Sequence, residues 1–504
     1  MIIIKKMIIP LPMKNIDFKH ILLPAISAVL LVLASPGVFS GYLSFFALVP
    51  LMIITGKSDN RELIISIIIF CLVYYLINLN WITIAVSHFG NAPLFIGYAV
   101  LIFFIVYLAV YWAVFLYFFR NGYGVVLLSL LFVILEIVRG RLFTGFPWLN
   151  FGSFAYNIPF FKLNASLIGE QGLSFLLILS NLLIFQLIHS KKVKYLTAFI
   201  ALVLISFGSG YILNSTASLA DKKISFRIIQ PSYKQENKWI PAKKEEITNN
   251  VLGMLEKNME TKSDIIVLPE SVFPAFTANE KDLHSKLQKL SKQKPIIFGS
   301  IRLNKNGNQK IKLFNSVYYI NDNSTKIYDK IHLVPFGEYF PFKTIFKPIN
   351  YYFFGDAEDF TSGDSVSVFM YNGTKMSPLL CYEGAFTNLV NKIKKNDADI
   401  LILLTNDSWF GKSFGRYQHL AIDVIRSIEY GMPVVRAAQS GISGCITPGG
   451  NAIAQTKIDK KTAVSCSVPS EGSSTLFAKL GYSWLLILII FYALRWITNY
   501  SRRK

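Results

Sequence analysis

Charged residues are scarce in this chain. Only 16% of its 504 residues are Asp, Glu, Lys or Arg, whereas soluble domains carry about 25%. The deficit falls in the first 213 residues and the last 30. Apolar runs there approach the roughly 20 residues that a helix needs to cross a bilayer. A wholly soluble protein is therefore excluded, and a multi-span membrane protein is predicted.

Cysteine is also scarce. The chain has four cysteines, too few for the disulfide framework of a small secreted protein. Cys71 lies in an apolar run. Cys445 and Cys466 lie in two segments that look like consecutive strands, and they could either pair or stay free. Cys381 is left over in both cases, which suits a reactive thiol.

Signatures of nucleic-acid binding are missing. The sequence has no zinc-finger, helix-turn-helix or RNA-binding pattern, so the net charge of +21 is attributed to basic loops and Lys-rich surface helices. A basic domain beside anionic phospholipid would also be attracted electrostatically to the membrane surface. No small-residue cleavage site follows the basic, apolar start MIIIKKMIIPLPMK, so the first span is expected to be retained.

Eight apolar segments predict membrane spans. They lie at 20–36, 40–56, 62–84, 93–119, 123–139, 165–188, 193–213 and 475–496. The first two are short and could form one broken hairpin around Ser35-Pro36-Gly37. The predicted domains are a membrane domain over 1–213, a water-compatible domain over 214–474, and a last span with a basic tail over 475–504.

The positions of Lys and Arg predict the orientation of the spans. They precede the first span, follow the last, and lie in the loops after the second, fourth and sixth, whereas the loop after the third has none. The positive-inside rule therefore places both termini in the cytoplasm and 214–474 on the outer side. Arg139, Arg141 and Lys162 are exceptions. Together with Glu136, the two arginines could snorkel or contact a phospholipid headgroup.

Residues 224–468 alternate short apolar runs with amphipathic segments. Strands are predicted at 224–230, 264–269, 295–300, 315–320, 375–383, 399–406, 433–439 and 444–450, and helices at 243–260, 279–292, 384–396 and 418–430. The strands lack clean alternation, as expected when both faces are covered. This order predicts a layered α/β domain. The loop 335–365 is longer than a connection needs, which is typical of functional loops.

Three residues at strand ends suggest chemistry. Glu270 closes DIIVLPE, Lys330 lies in YDKIHLVPFGEYFPF and Cys381 lies in LLCYE. Strand ends share one edge of an open α/β sheet, where active sites are favoured. A thiol is mostly protonated at neutral pH, so a carboxylate is needed as general base, and an ammonium can stabilise the oxyanion. The trio predicts acyl transfer through a thioester.

The same residues resemble the Glu-Lys-Cys triad of the nitrilase, or carbon–nitrogen hydrolase, superfamily. The strings YDKIHLVPFGEYFPF, CYE, LTNDSWFG, YQHL and LFTGFPWLNFG are similar to those of the apolipoprotein N-acyltransferase family. The resemblance covers essentially the whole chain. It implies a polytopic α-helical membrane domain of about eight spans and a periplasmic α-β-β-α nitrilase-like sandwich, in the inner membrane of a bacterium.

The resemblance implies a two-step reaction, the last step of lipoprotein maturation. Cys381 takes an acyl chain from a phospholipid as a thioester and passes it to the N-terminal α-amine of the diacylglyceryl-cysteine of an apolipoprotein. Glu270 is implied as the base and Lys330 as the oxyanion stabiliser. No metal or soluble cofactor is implied, no nucleic acid is a partner, and a monomer is expected.

Four further residues match the family motifs. By the resemblance, Glu338 orients the triad or assists proton transfer, Tyr382 and Glu383 shape the site beside the thiol, and Trp239 contacts substrate. Two positions depart from the family. Arg416 replaces a Pro in GRYQHL, and residues 439–441 read Gln-Ser-Gly in place of Asn-Asn-Gly. Both lie outside the triad and leave its chemistry intact.

Several residues keep two interpretations. His332 and His419 could pair with the thiol or be structural. A structural role is preferred for His332, because it lies two residues from Lys330 in a strand-like stretch, where the two side chains would point the same way. Asn406 and Asp407 could form a turn or hold the site. Trp148 could be an interfacial aromatic. Four loop aromatics could gate lipid entry or pack the loop: Phe336, Tyr339, Phe340 and Phe342.

Two other functions remain open. A membrane-tethered nitrilase-type amidase, which hydrolyses a small carbon–nitrogen bond, would share the triad but predicts a closed, water-accessible pocket and needs no seven leading spans. A transporter or receptor with an outer binding domain would need polar residues within its spans. The spans have almost none, since Glu136 and Glu170 lie near span ends. The acyltransferase interpretation is therefore preferred.

Overall fold

The structure, a computed structural model, covers most of the chain. It describes residues 17–216, 222–277, 280–304, 311–341 and 359–501, with 495–501 described by backbone alone. The first of these parts is helical. Its helices are α1 (Lys19–Ala34), α2 (Val49–Thr55), α3 (Asn60–Asn78), α4 (Asn80–Thr83), α5 (Leu94–Arg120), α6 (Val125–Arg139), α7 (Ala165–Ser190) and α8 (Val193–Thr216).

Not every predicted span is a long helix. Within the described residues, four segments are long and apolar enough to cross a membrane: Asn60–Asn78, Leu94–Arg120, Phe161–Ser190 and Val193–Ser215. The first predicted pair breaks at Gly37, whose φ is +84°. Helix α6 has 15 residues, or about 22 Å of rise, short of a hydrocarbon core of roughly 30 Å. The helical part is multi-span, and the number eight stays a prediction.

The second part of the chain contains two six-stranded sheets. The strands are β1 (Lys223–Gln230), β2 (Ile265–Val267), β3 (Ile296–Asn304), β4 (Lys312–Asn321), β5 (Ser324–Asp329), β6 (Phe369–Tyr371), β7 (Thr374–Leu380), β8 (Ile400–Thr405), β9 (Val434–Ala438), β10 (Gly444–Ile446), β11 (Ala452–Ile453) and β12 (Thr462–Pro469). The helices are α9 (Lys244–Met259), α10 (Lys281–Ser291), α11 (Thr387–Lys395), α12 (Gly415–Tyr430), α13 (Leu476–Leu480) and α14 (Ser483–Ser501). The first sheet has the order β12-β1-β2-β3-β4-β5 and the second β11-β10-β9-β8-β7-β6.

The two sheets pack face to face between layers of helices. Alternate apolar residues along a strand point to opposite faces. Ile228 and Val267 therefore join the core between the sheets, whereas Ile229 and Ile266 pack with the apolar faces of α9 and α10. Helix α12 packs on the second sheet, and α11 packs against α12. This is the predicted α-β-β-α sandwich.

One covalent bond joins the two sheets. Cys445 of β10 and Cys466 of β12 form a disulfide, which resolves the pairing that the sequence left open. Two cysteines are free, Cys71 in α3 and Cys381 after β7. Cys381 is therefore the only free thiol among the described residues of the sandwich.

Strand direction explains why distant residues meet. In the first sheet β1, β2 and β3 run parallel, and two antiparallel pairings return β5 to the same direction. In the second sheet β7, β8 and β9 are parallel. Glu270, Lys330 and Cys381 follow β2, β5 and β7. The carboxyl ends of these strands present the three residues to one another.

Most predicted strands and helices are present, with ends shifted by a few residues. Three strands were not predicted, β5, β6 and β11, and β12 was indicated only by the strand-like segment around Cys466. Strand β5 is a mostly exposed edge strand, so its sequence lacks the apolar run by which a buried strand is recognised. The strand-like interpretation of the stretch around His332 is wrong, because the strand ends at Asp329 and a turn follows. Likewise β7 ends at Leu380 and not at residue 383.

Candidate active site

Glu270 lies where the chain leaves β2, with a side chain only 9% exposed. Its Oε1 accepts a hydrogen bond from Asn315 Nδ2 at 2.7 Å, and its Oε2 accepts one from the backbone N–H of Asn406 at 2.9 Å. Gly299 of β3 permits this placement, because a Cβ there would lie 2.6 Å from the Glu270 Cα. Donors from both sheets therefore fix the carboxylate.

Lys330 is buried between two carboxylates. Its Nζ donates to Glu338 Oε1 at 2.8 Å and lies 3.9 Å from Glu270 Oε1. Asn315 Nδ2 also donates to Glu338 Oε1 at 2.8 Å, so one amide bridges the two acids. Burial acts to lower the pKa of Lys330, but Glu338 and Glu270 outweigh it and hold the pKa above its usual value. Lys330 is thus kept as an ammonium.

Cys381 begins a 3-10 turn directly after β7. Its φ of +51° is uncommon for a residue other than glycine, and such conformations cluster at functional sites. Burial and the Glu270 carboxylate raise the pKa of the Cys381 thiol to about 12, against the opposing effects of Lys330 and Thr405. The resting sulfur is therefore a thiol that needs a base.

Glu383 connects the turn that begins at Cys381, the nucleophile turn, to the bend after Lys330, the lysine turn. Its carboxylate is buried and accepts hydrogen bonds from the Tyr328 hydroxyl at 2.8 and 2.9 Å and from the backbone N–H groups of Leu380, Ile331 and His332 at 2.8, 2.8 and 3.0 Å. Burial raises the pKa of Glu383 to about 6, against Lys330 and these donors. Glu383 therefore sets the spacing of Cys381 and Lys330.

Tyr382 connects the turn to the membrane half. Its hydroxyl donates to the carbonyl of Gly145 at 3.2 Å, and its ring lies 6.0 Å from that of Trp148. Trp148 is 1% exposed, so it is not an interfacial aromatic. Its Nε1 donates to Gln418 Oε1 at 2.8 Å, and Gln418 Nε2 donates to the Asn78 carbonyl at 3.1 Å. The site thus rests directly on helices of the membrane half.

Glu136 and Arg139, near the C-terminal end of α6, are buried and hydrogen-bonded, whereas Arg141 is exposed. Arg139 donates to Asn150 Oδ1 at 2.7 Å and to the Trp148 carbonyl at 3.1 Å, while Glu136 Oε1 accepts from the Phe151 N–H at 2.6 Å. Neither side chain snorkels. They hold the segment that carries Trp148 against the sandwich.

Trp239 lies at the rim of the site, 51% exposed. The Lys238 Nζ lies 5.4 Å from the centre of its ring. Lys238 itself is 2% exposed, and burial lowers its pKa to about 8, against the pull of Glu270. Gln235 Oε1 accepts from Asn406 Nδ2 at 2.8 Å and fixes this turn to the site. Sequence reasoning missed Lys238, because nothing in the pattern signalled a buried lysine beside an exposed tryptophan.

The described contacts of the two candidate histidines are with groups other than the thiol sulfur. His419 Nε2 lies 3.2 Å from the backbone carbonyl of Cys381. The His332 ring packs 3.6 Å from that of Phe386, its Nε2 has no hydrogen-bond partner in the described part of the chain, and burial lowers the pKa of His332 to about 4. The structural interpretation favoured for His332 agrees with these contacts.

Of the two departures from the family motifs, Arg416 has an ionic partner. Arg416 Nη1 pairs with Asp459 Oδ2 at 2.8 Å. In the second, the Ser440 hydroxyl lies 2.7 Å from that of Ser408, whereas the buried side-chain amide of Gln439 has no hydrogen-bond partner among the described residues.

Gly441, the position of this motif that does not depart from the family, is needed where it stands, because a Cβ would lie 2.1 Å from Asp407 Oδ2. Asp407, one of the residues with two interpretations, is fully buried beneath the site.

The loop after Lys330 is only partly described. Phe336 is 59% exposed, and its ring centre lies 5.2 Å from that of Phe340. Phe342 lies outside the described residues. Over the ranges that the structure describes, no three His, Cys, Asp or Glu side chains are grouped so as to hold a metal ion.

Two family models match the chain. One, described as Apolipoprotein N-acyltransferase N-terminal domain, matches residues 27–183. The other, described as Carbon-nitrogen hydrolase, matches residues 227–472. The first match falls within the helical part and the second spans the two sheets.

Similar proteins cover nearly the whole chain. A protein named apolipoprotein N-acyltransferase from Haemophilus influenzae is 30% identical over 484 residues, which are 92% of this chain and 91% of that one. Its namesake from Rickettsia bellii is 32% identical over 499 residues, 93% of this chain and 96% of that one. A solved carbon–nitrogen hydrolase from Helicobacter pylori is 16% identical, covers 49% of this chain and 89% of that chain, and has a TM-score of 0.39, too low for any conclusion.

Proposed function

The chain belongs to the apolipoprotein N-acyltransferase family, and from that premise we propose that it moves an acyl chain from a phospholipid to an apolipoprotein through a thioester on Cys381. The acceptor is the N-terminal α-amine of a diacylglyceryl-cysteine. The observation that carries the proposal is the placement of Cys381 beside a buried carboxylate and a buried ammonium, Glu270 and Lys330.

The first step forms the thioester. Glu270 takes the proton of the Cys381 thiol while the sulfur attacks the ester carbonyl of the phospholipid. Lys330 stabilises the charge on the carbonyl oxygen. As the tetrahedral intermediate collapses, the ester C–O bond breaks, and Glu270 returns the proton to the departing lysophospholipid oxygen. The high thiol pKa makes this assistance necessary, because little free thiolate exists at neutral pH.

The second step transfers the acyl chain. The neutral amine of the acceptor attacks the thioester carbonyl, a C–N bond forms and the C–S bond breaks. Glu270 takes a proton from the nitrogen and returns it to the sulfur. Lys330 again faces the oxyanion. Glu270 relays one proton in each step, from the thiol to the leaving oxygen in the first and from the acceptor nitrogen to the sulfur in the second.

The remaining predicted residues take supporting roles in this proposal. Glu338 holds Lys330 and positions it toward the reacting carbonyl. Glu383 and Tyr382 fix the nucleophile turn against the lysine turn and the membrane half. Trp239, exposed at the rim, contacts the lipid substrate, and four loop aromatics admit its acyl chain: Phe336, Tyr339, Phe340 and Phe342.

The location in the cell is part of the same proposal. Eight spans, with both termini in the cytoplasm, place the sandwich on the periplasmic side of the inner membrane. The domain limits proposed are 1–213, 214–474 and 475–504. Both lipid substrates lie in the adjoining leaflet, and the contacts of Tyr382 with Gly145 and of Trp148 with Gln418 support a site at the junction between the sandwich and the membrane half. A monomer suffices for the reaction.

A labelled phospholipid tests the proposal. We expect the purified chain to acquire a hydroxylamine-sensitive acyl group on the peptide that contains Cys381, detected by mass spectrometry. A diacylated lipopeptide with a free α-amine should then take up the label. Cys381→Ala should abolish both events, whereas Cys71→Ala, which removes the other free thiol, should leave them intact.

Two results would contradict this assignment. Release of the label as free fatty acid, with none on the lipopeptide, indicates a hydrolase of the amidase type. Transfer that persists in the Cys381→Ala variant shows that the acyl chain does not pass through this sulfur.

A further inference from the structure

A buried histidine lies directly behind the nucleophile. His419 of α12 is fully buried, and its Nε2 lies 3.2 Å from the carbonyl oxygen of Cys381. A carbonyl oxygen can only accept a hydrogen bond, so Nε2 carries the proton that it donates. The ring therefore contacts the backbone of the nucleophile and not its sulfur.

The other side of the ring is anchored. His419 Nδ1 lies 2.9 Å from Asp407 Oδ1 and 3.4 Å from Arg436 Nη2. Asp407 also accepts from the Thr405 hydroxyl at 2.8 Å and from Arg436 at 2.5 Å, and Arg436 bonds Asp423 at 2.5 Å. Groups from the turn after β8, from β9 and from α12 thus hold the imidazole in one orientation.

The contact has a consequence for the peptide group that it holds. The 381–382 peptide is trans, since the described residues contain no cis bond. In a trans peptide the carbonyl and the following N–H point in opposite directions. With the Cys381 carbonyl held toward α12, the amide N–H of Tyr382 points to the side of the turn that faces away from α12.

We propose that His419 is a positioning residue for acyl transfer, which donates from Nε2 to the Cys381 carbonyl and thereby aims the Tyr382 N–H at the oxyanion as a second donor beside Lys330. The role rests on the proposed function, because it supposes that an acyl carbonyl is attacked at Cys381. It gives a role to Asp407 and His419, which lie in the motifs LTND and YQHL and are not members of the triad.

Two substitutions at one position separate the two sides of the ring. The amide nitrogen of Gln reaches the place of Nε2, so His419→Gln keeps the donor to the Cys381 carbonyl. The amide nitrogen of Asn reaches only the place of Nδ1, so His419→Asn keeps the contact with Asp407 and loses the hydrogen bond to the Cys381 carbonyl. We expect thioester formation to slow roughly tenfold to a hundredfold in His419→Asn and by less than about fivefold in His419→Gln.

The rate at which iodoacetamide alkylates Cys381 distinguishes this role from a packing role, because disturbed packing around Cys381 would change that rate. This reaction uses the sulfur but develops no oxyanion, so its rate should change less than about twofold in both variants. His284→Asn, on the remote helix α10, serves as the matched control and should alter neither rate. Equal loss in Asn and Gln variants, or a parallel fall in alkylation, would overturn the proposal.

The unsubstituted protein offers an independent measurement if the variants fold poorly. In protein labelled with nitrogen-15 in histidine, the Nε2 of His419 should be protonated from pH 6 to pH 8. A non-protonated Nε2 would contradict the donor role. Failure of the unsubstituted chain to form any thioester would instead count against the proposed function, so the two failures can be told apart.

Discussion

Two buried clusters in this chain are built from the same kinds of group. In the proposed active site, Lys330 lies between Glu270 and Glu338, with Asn315 bonded to both acids. At the junction with the membrane half, one arginine lies between two glutamates beside one asparagine: Arg426 pairs with Glu170 and Glu429, and Asn150 donates to Glu170.

The cation distinguishes the two clusters. Arg426 presents a fork that bonds Glu170 at 2.5 Å and Glu429 with its other terminal nitrogen. An ammonium is a point charge on a flexible stem, and Lys330 is within hydrogen-bond distance of Glu338 only, with Glu270 left at 3.9 Å. The arginine cluster is therefore closed and structural. The lysine cluster leaves one carboxylate available to exchange a proton with a neighbouring thiol.

Removing that available carboxylate should produce the largest effect. In Glu270→Gln, acyl transfer should fall by roughly 10²–10⁴-fold, because no group returns a proton to the leaving oxygen. The same change removes a charge that raises the thiol pKa, so alkylation of Cys381 by iodoacetamide at pH 8 should become faster. Slower acyl transfer together with faster alkylation identifies Glu270 as a base. A fall in both rates would show that Glu270 only supports the fold.

Breaking the closed cluster should affect stability and not chemistry. Arg426→Met leaves two buried carboxylates without their cation, which costs about 3–5 kcal/mol in the free energy of unfolding, measured by chemical unfolding in detergent. Lys375→Met, at the exposed pair with Asp397, is the control and should cost under about 1 kcal/mol. Loss of thioester formation by the folded Arg426→Met protein would mean that this cluster also acts in the reaction.

The disulfide belongs to neither cluster. Replacing Cys445 and Cys466 by Ser opens a link between residues 21 positions apart, and loss of such a link costs about 3 kcal/mol. The folded double variant should acylate Cys381 at the unmodified rate. Reduced acylation in that variant, measured below its unfolding transition, would show that the link between the sheets also positions the site.

The smallest effect concerns pH. Glu383 has a pKa raised from 4.5 to about 6 in the folded chain. Folding therefore favours the protonated acid, and this stability is fully present below pH 4.5 and is lost as pH rises through about 6. The difference of 1.5 in pKa corresponds to about 2 kcal/mol. Glu383→Gln should flatten this part of the stability profile, and an unchanged profile would assign it to another group.

The sequence predicted the three triad residues chiefly because two of them follow recognisable strands, whereas Asn315 of the lysine cluster was not predicted. Glu270 and Cys381 come directly after apolar runs that are buried on both faces, and burial produces a pattern that can be recognised. The motif around Lys330 added the third residue, although its own strand, β5, is an exposed edge without an apolar signal. Glu338 and Glu383 were placed by resemblance alone.

The arginine cluster could not be predicted in the same way. Glu170 and Arg426 are 256 positions apart, and each alone reads as a charge near a span end or on a helix surface. Helix α12 is buried on nearly all sides, so its polar residues find partners in the membrane half that no local pattern reveals. The same burial hid the contact between His419 and Cys381.

A single-turnover experiment tests the central claim most directly. Enzyme loaded with a labelled acyl group and then mixed with a diacylated lipopeptide should lose label from Cys381 at the rate at which acylated lipopeptide appears. That agreement is the predicted result. Lipopeptide product that forms faster than the Cys381 thioester disappears would contradict the account, because the sulfur would then lie off the reaction path.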